Sequence, residues 1–160
     1  MPVIRPATPA DAGLVFDLVH ELAVYERLEA DVDATPAMIA DALFGPAPRV
    51  FCDIAEWQGQ PVGFALWFYS FSTFRGRHGL YLEDLFVRPA QRGHGLGKKL
   101  LAHLARRCVA ENLARLEWSV LDWNTPSIDF YKAQGAEMLD GWTTCRVTGA
   151  ALWRLADQAR

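Results

Sequence analysis

Apolar positions change their period several times along the chain, and each change marks an element. Val15, Leu18, Val19 and Leu22 recur three and four residues apart, with Asp17 and Glu21 outward, which predicts an amphipathic helix. Thr8-Pro9-Ala10-Asp11 supplies its start: a capping hydroxyl, a proline where no N–H is needed, and a carboxylate three residues on. Residues 3–5 form a short strand before it. Thr35-Pro36 opens a second helix that Gly45-Pro46 closes. The apolar runs 50–57 and 62–71 flank Gln58-Gly59-Gln60-Pro61 and predict an antiparallel hairpin. Residues 80–87 form the next strand. Helical spacing returns from Gly95 to about Asn112, with Leu100, Leu101, Leu104 and Val109 on the buried stripe. Residues 116–121 form a fifth strand, and a short helix runs from Pro126 to a stop at Gly135. Residues 143–147 and 150–155 fit either a strand or a short helix. A strand-helix-strand unit over 80–121 implies a right-handed crossover and parallel pairing. The expected fold is α/β: one domain over 1–160, its mixed sheet antiparallel early and parallel late, with helices on both faces.

Composition narrows the class. The chain has 160 residues, 51% of them apolar, enough for one sizeable core. A net charge of −3 argues against nucleic acid as a partner. Lys98, Lys99, Arg106 and Arg107 do cluster along one helix, either as a solvated face or as phosphate contacts. Cys52, Cys108 and Cys145 have no paired spacing, and His20-Glu21 lacks a second histidine at Val24, so neither a disulfide framework nor a metal site is expected. The start of the chain has no leader pattern, and the apolar run 62–71 is too short for a bilayer. A cytoplasmic protein without a membrane partner is the expectation.

The chemistry concentrates where the 80–87 strand meets the main helix, at Arg92-Gly93-His94-Gly95-Leu96-Gly97-Lys98. A glycine-rich turn at a helix start presents unpaired N–H groups and the positive end of the helix dipole, which suits a phosphate. A Walker loop would need glycine where Arg92 stands, and the dinucleotide fingerprint needs a different glycine spacing. What remains resembles the Gln/Arg-x-x-Gly-x-Gly/Ala signature of the GNAT acetyltransferases. Trp123-Asn124-Thr125-Pro126-Ser127-Ile128-Asp129-Phe130-Tyr131-Lys132-Ala133-Gln134-Gly135 is similar to that family's second element. Val3-Ile4-Arg5-Pro6-Ala7-Thr8, Glu21-Leu22-Ala23-Val24-Tyr25-Glu26 and Leu80-Tyr81-Leu82-Glu83-Asp84-Leu85-Phe86-Val87 extend the resemblance, toward the diamine (spermidine/spermine or thialysine) branch.

The resemblance implies a sheet splayed into a V that holds coenzyme A, an acetyl-CoA cosubstrate, no metal, and a homodimer. It implies cofactor contacts at Leu85, Phe86 and Val87, at Arg92 to Lys98, and at Asn124, Ser127 and Tyr131. It places the amine near Tyr25, Glu26, Glu83 and Asp140. Asn124 reads equally as a helix cap, Tyr131 as a packing tyrosine, and the carboxylates as surface charge.

Acetyl transfer to a primary amine needs that amine neutral. From a pKa near 10.4 to pH 7 is about three units, or roughly 4 kcal/mol, so a proton acceptor or water relay is required. Glu83 is the candidate acceptor and placement residue, and strict alternation would send Asp84 to the opposite face. Tyr131 is the candidate acid for the leaving thiol. Polyamines and thialysine-like amino acids both remain open as acceptors. The basic stretch Phe74-Arg75-Gly76-Arg77-His78-Gly79 disfavours a polycation. A non-catalytic acyl-CoA-binding module is the alternative reading.

Overall fold

The computed structural model describes residues 1–159 and divides into two compact units, Met1–Asn124 and Thr125–Arg160. In the first, β1 (Val3–Pro6), β2 (Phe51–Trp57), β3 (Gln60–Ser72), β4 (Arg77–Val87) and β5 (Leu116–Glu117) form one sheet in that spatial order. The first four strands pair antiparallel and β4 pairs parallel with β5. The mixed sheet therefore has the expected order of antiparallel and parallel strands. Gln58 and Gly59, with φ of 52° and 75°, make the tight β2–β3 turn, the mirror-image geometry that suits the twist of a hairpin.

Helices cover both faces. Val15, Leu18 and Leu22 of α1 (Ala12–Glu26) and Leu43 of α2 (Pro36–Phe44) pack on Cys52, Ile54, Phe64, Leu66 and Phe86. Leu18, Ile54 and Phe64 are fully buried, each contributing roughly 1.5–3 kcal/mol. Between Cys52 and Ile54, Asp53 points to the opposite face, where it accepts from Trp67 Nε1 at 2.9 Å and lies 3.3 Å from His103 of α3 (Leu96–Ala110). Leu96, Leu100 and Leu104 bury α3 on that face.

Both predicted helix starts form. Asp11 closes a capping box with Thr8 and is bound by Arg5 at 2.7 Å, which holds its carboxyl down at about 2. Thr35 accepts the Met38 N–H at 3.2 Å.

The buried stripe of α3 differs from its expected course. Val109 is 83% exposed, and Cys108 is buried instead, because it stands four residues beyond Leu104 on the same helical face. The fifth strand is also shorter than expected. Its ladder stops at Leu80↔Leu116 and Tyr81↔Glu117, so residues 118–121 have strand composition without a strand's pairing. The Tyr81 hydroxyl reaches Ser119 Oγ at 3.0 Å just beyond the last paired residues.

The second unit holds α4 (Thr125–Ala133) and α5 (Gly149–Ala156), which decides the 150–155 alternative as helix. Residues 143–147 form no ladder. Gly135, at φ 92°, ends α4. The Ala136 N–H bonds the Tyr131 carbonyl at 3.1 Å and the Gly135 N–H bonds the Lys132 carbonyl at 2.9 Å, as a left-handed cap requires.

Candidate active site

The far half of β4 carries the chemistry. On one side Leu85, Phe86 and Val87 pair with Ala65, Phe64 and Gly63 of β3. On the other, pairing with β5 has already ended at Tyr81. One edge of β4 thus runs on past its ladder, with backbone groups that seek partners.

A β-bulge interrupts the same stretch. Leu66 lies opposite Asp84 and Trp67 opposite Leu82, leaving Glu83 as the additional residue. Strict alternation, which would have separated the Glu83 and Asp84 faces in the ordinary way, does not hold here. Glu83 is exposed and Asp84 is half-buried. Burial, then the charges of Glu83 and Glu26, push the Asp84 carboxyl up to about 7. Glu26, at the end of α1, is raised by burial and by Glu83. Glu26, Glu83 and Asp84 therefore form one electrostatic cluster.

Past Val87 the chain turns into α3. Gly93 and Gly95 hold φ of 86° and 76°, the left-handed region that glycine enters without cost. A Cβ built on either would meet nothing within 4 Å, so the turn faces open space. No side chain caps α3 at Gly95. Leu96 is buried under the turn, and Lys98 is exposed in the first helical turn. His94 lies with its ring 4.6 Å from Trp57 and Nδ1 3.1 Å from the Gln91 carbonyl.

Arg92 turns back from the glycines. Its Nε donates to the Val87 carbonyl at 3.0 Å, and its guanidinium sits 4.7 Å from the Tyr25 ring and 5.6 Å from Phe86. The Tyr25 hydroxyl donates to Asn124 Oδ1 at 3.1 Å, and Asn124 is buried. Arg88 ties α1 to the end of β4 through Glu21 at 2.8 Å.

The basic cluster on α3 divides. Arg107 stacks over Trp67 at 4.9 Å and pairs with Glu111 at 2.7 Å, while Lys99 donates to the Pro2 carbonyl at 3.3 Å. In the second unit, Tyr131 is buried on α4 and packs 5.4 Å from Phe130, with Ser127 and Ile128 half-buried one turn earlier. Asp140 is exposed in a turn closed by the Trp142 N–H on the Leu139 carbonyl at 3.2 Å.

Sequence reasoning did not single out Trp57 or Arg27, and it took in Trp123 only as the first residue of the second family element; an aromatic at a strand end could have pointed to Trp57. A cavity of about 240 Å³ among Phe44, Phe51, Asp53, Trp67 and Arg107 lies at the other end of β2 and holds none of this constellation.

The sequence profile of the Acetyltransferase (GNAT) family matches residues 15–136, a span that crosses from the first unit into the second. The chain belongs to the GNAT acetyltransferase family. It is 36% identical over 165 aligned positions to the thialysine N-epsilon-acetyltransferase of Bos taurus, covering 96% of each chain. It is 31% identical to the L-ornithine N5-acetyltransferase NATA1 of Arabidopsis thaliana, covering 93% of this chain and 85% of that one. Among solved structures, an integron cassette protein from the mobile metagenome of V. cholerae superposes with a TM-score of 0.80 at 28% identity, over 97% of both chains. The protein is thus a GNAT enzyme by descent as well as by fold.

Does the site fit the acyl-CoA that this family uses? The open glycine turn at an uncapped helix start suits a pyrophosphate, and the unpaired edge of β4 suits a chain of amides. The fit is of donors to acceptors on both counts.

Proposed function

We propose that the enzyme transfers an acetyl group from acetyl-CoA to the side-chain amine of a small amino acid, by direct attack with both substrates bound. The observation that carries this reading is the last stretch of β4. There a free strand edge runs from a carboxylate cluster into an open anion cradle. Two relatives named for thialysine and ornithine support an amino-acid acceptor. The two units act as one acetyltransferase domain.

Each residue has a task that its surroundings suit. Glu26 and Glu83 attract the ammonium into the cleft. Asp84, held near neutrality, takes the proton as the amine becomes nucleophilic, directly or through one water. The N–H groups of the Leu85–Val87 edge hold the thioester oxygen and the pantetheine arm. Gly93 to Gly97 and Lys98 hold the pyrophosphate. Bound acetyl-CoA supplies the activated acyl group and a thiolate leaving group. Tyr131 on α4 supplies the proton to that sulfur, Asn124 and Ser127 frame its helix start, and Asp140 and Tyr25 border the amine site.

A thiol-release assay across ornithine, lysine, thialysine, putrescine and spermidine tests this. The expected result is amine-dependent release, with higher kcat/KM for the amino acids than for the polyamines. Coenzyme binding without turnover on any amine would overturn the reading. A preference for spermidine would overturn its amino-acid part alone.

A further inference from the structure

Four side chains stack where the end of α1, the glycine turn and the loop before α4 meet. Arg92 lies over Tyr25 at 4.7 Å, the Tyr25 and Trp123 rings are 6.2 Å apart, and Arg27 covers Trp123 at 5.1 Å. Tyr25 is the junction of this stack with a hydrogen bond, since its hydroxyl donates to Asn124 Oδ1 at 3.1 Å. Arg92 carries the connection onward by donating from Nε to the Val87 carbonyl at 3.0 Å. One ring therefore touches both the cation that ties the turn to β4 and the side chain immediately before the helix of Tyr131.

An exposed arginine at the mouth of a glycine turn would ordinarily sample many rotamers. Here its planar cation lies over two aromatic rings, Tyr25 at 4.7 Å and Phe86 at 5.6 Å, and Nε has a carbonyl to donate to. The hydroxyl of Tyr25 gives Asn124 Oδ1 a donor. Loss of the tyrosine removes the nearer ring contact of Arg92 and the hydrogen bond to Asn124, while Val15, Leu18 and Leu22, against which Tyr25 also packs, remain buried as the core of α1.

We propose that Tyr25 is a positioning residue that locks the glycine turn, through Arg92, and Asn124 into register with the end of α1. It acts on the turn through those two side chains, in addition to bordering the amine site. The proposal rests on the turn being the coenzyme site, as argued above.

The test combines calorimetric titration of coenzyme A with initial rates for wild type, Tyr25→Phe, Tyr25→Leu, Arg92→Met and the Tyr25→Leu/Arg92→Met pair. Tyr25→Leu is expected to weaken coenzyme A about tenfold, the scale of a partly desolvated cation–π contact. In the double variant that loss should not add to the loss from Arg92→Met. Tyr25→Phe keeps the ring, so coenzyme A should bind within about twofold of wild type while kcat falls several-fold with the Asn124 hydrogen bond. Unchanged affinity in Tyr25→Leu, full additivity with Arg92→Met, or a rise in the amine KM alone would each overturn the proposal. If Tyr25→Leu does not fold, an unchanged kcat in Tyr25→Phe overturns it. A wild-type protein that fails to bind coenzyme A would overturn the acetyl-transfer reading and this proposal together. Wild-type binding with an indifferent Tyr25→Leu would overturn the lock alone.

Discussion

In the proposed mechanism Asp84 trades stability for reactivity. Unfolded, an aspartate titrates near 4, whereas in the fold this one is pushed up to about 7 by burial and by its acidic neighbours. Between those pH values the folded state binds more protons than the unfolded one. The contribution of Asp84 to stability therefore falls as pH rises from about 4 to about 7, and stays low above that. Asp84→Asn should raise the Tm relative to wild type at pH 8 and have less effect at pH 5, measurable by calorimetry. The same substitution should remove the acid limb near pH 7 from the kcat/KM profile and lower its plateau by about 10²–10⁴. An acid limb that persists in Asp84→Asn would assign proton transfer elsewhere. For Tyr131→Phe, a drop of about 10²–10⁴ in kcat with coenzyme affinity kept is the expected outcome of losing the acid. An unchanged kcat would make Tyr131 a packing residue.

At the scale of elements, the bulge in β4 and the left-handed turn after it work as a pair. The bulge sets Glu83 apart from the ladder, and the turn carries the chain off the sheet into α3. Gly95→Ala should cost about 1–2 kcal/mol because an L-residue resists φ 76°. Its Cβ would also enter the open side of the turn, so the Kd for coenzyme A should rise about tenfold. Gly76 makes the comparison clean: it too is left-handed, at φ 63°, with nothing within 4 Å of a built Cβ. Gly76→Ala should lower stability similarly and leave coenzyme affinity alone. Equal affinity in both variants would remove the turn from the coenzyme site.

For the whole molecule, α5 raises the question of what covers it. Leu152, Trp153 and Leu155 are 51%, 77% and 52% exposed, a concentration of apolar surface on one short helix. The proposed homodimer would bury it in a two-fold contact, identical segments meeting across the axis. Sedimentation at micromolar concentration should give twice the 17.9 kDa chain mass, and truncation before Ala150 should give a folded monomer. A fully active monomer in the intact protein would sink the dimer. Among the described residues no helix is long and apolar enough to cross a membrane.

Local rules sufficed wherever an element's cause lies within a few residues. The Thr8 capping box, the Thr35 cap, the Gln58-Gly59 turn, the Gly135 stop, the glycine turn and the family signature all depend on neighbours in sequence, so the amino-acid order alone determined them. Other features needed the tertiary structure. Whether Cys108 or Val109 faces the core is a matter of helical phase against a particular sheet. The length of β5 depends on where β4 leaves it, which no composition of residues 116–121 could show. Alternation could not foresee the additional residue at Glu83, because a bulge is a property of two strands in register, not of one strand's pattern. Tyr25 meets Asn124 across 99 positions of sequence, and the Asp84 carboxyl owes its shift first to burial and then to the charges of Glu83 and, on α1, Glu26. Charge and hydrogen bonding act through space, so only the folded chain could bring those partners together.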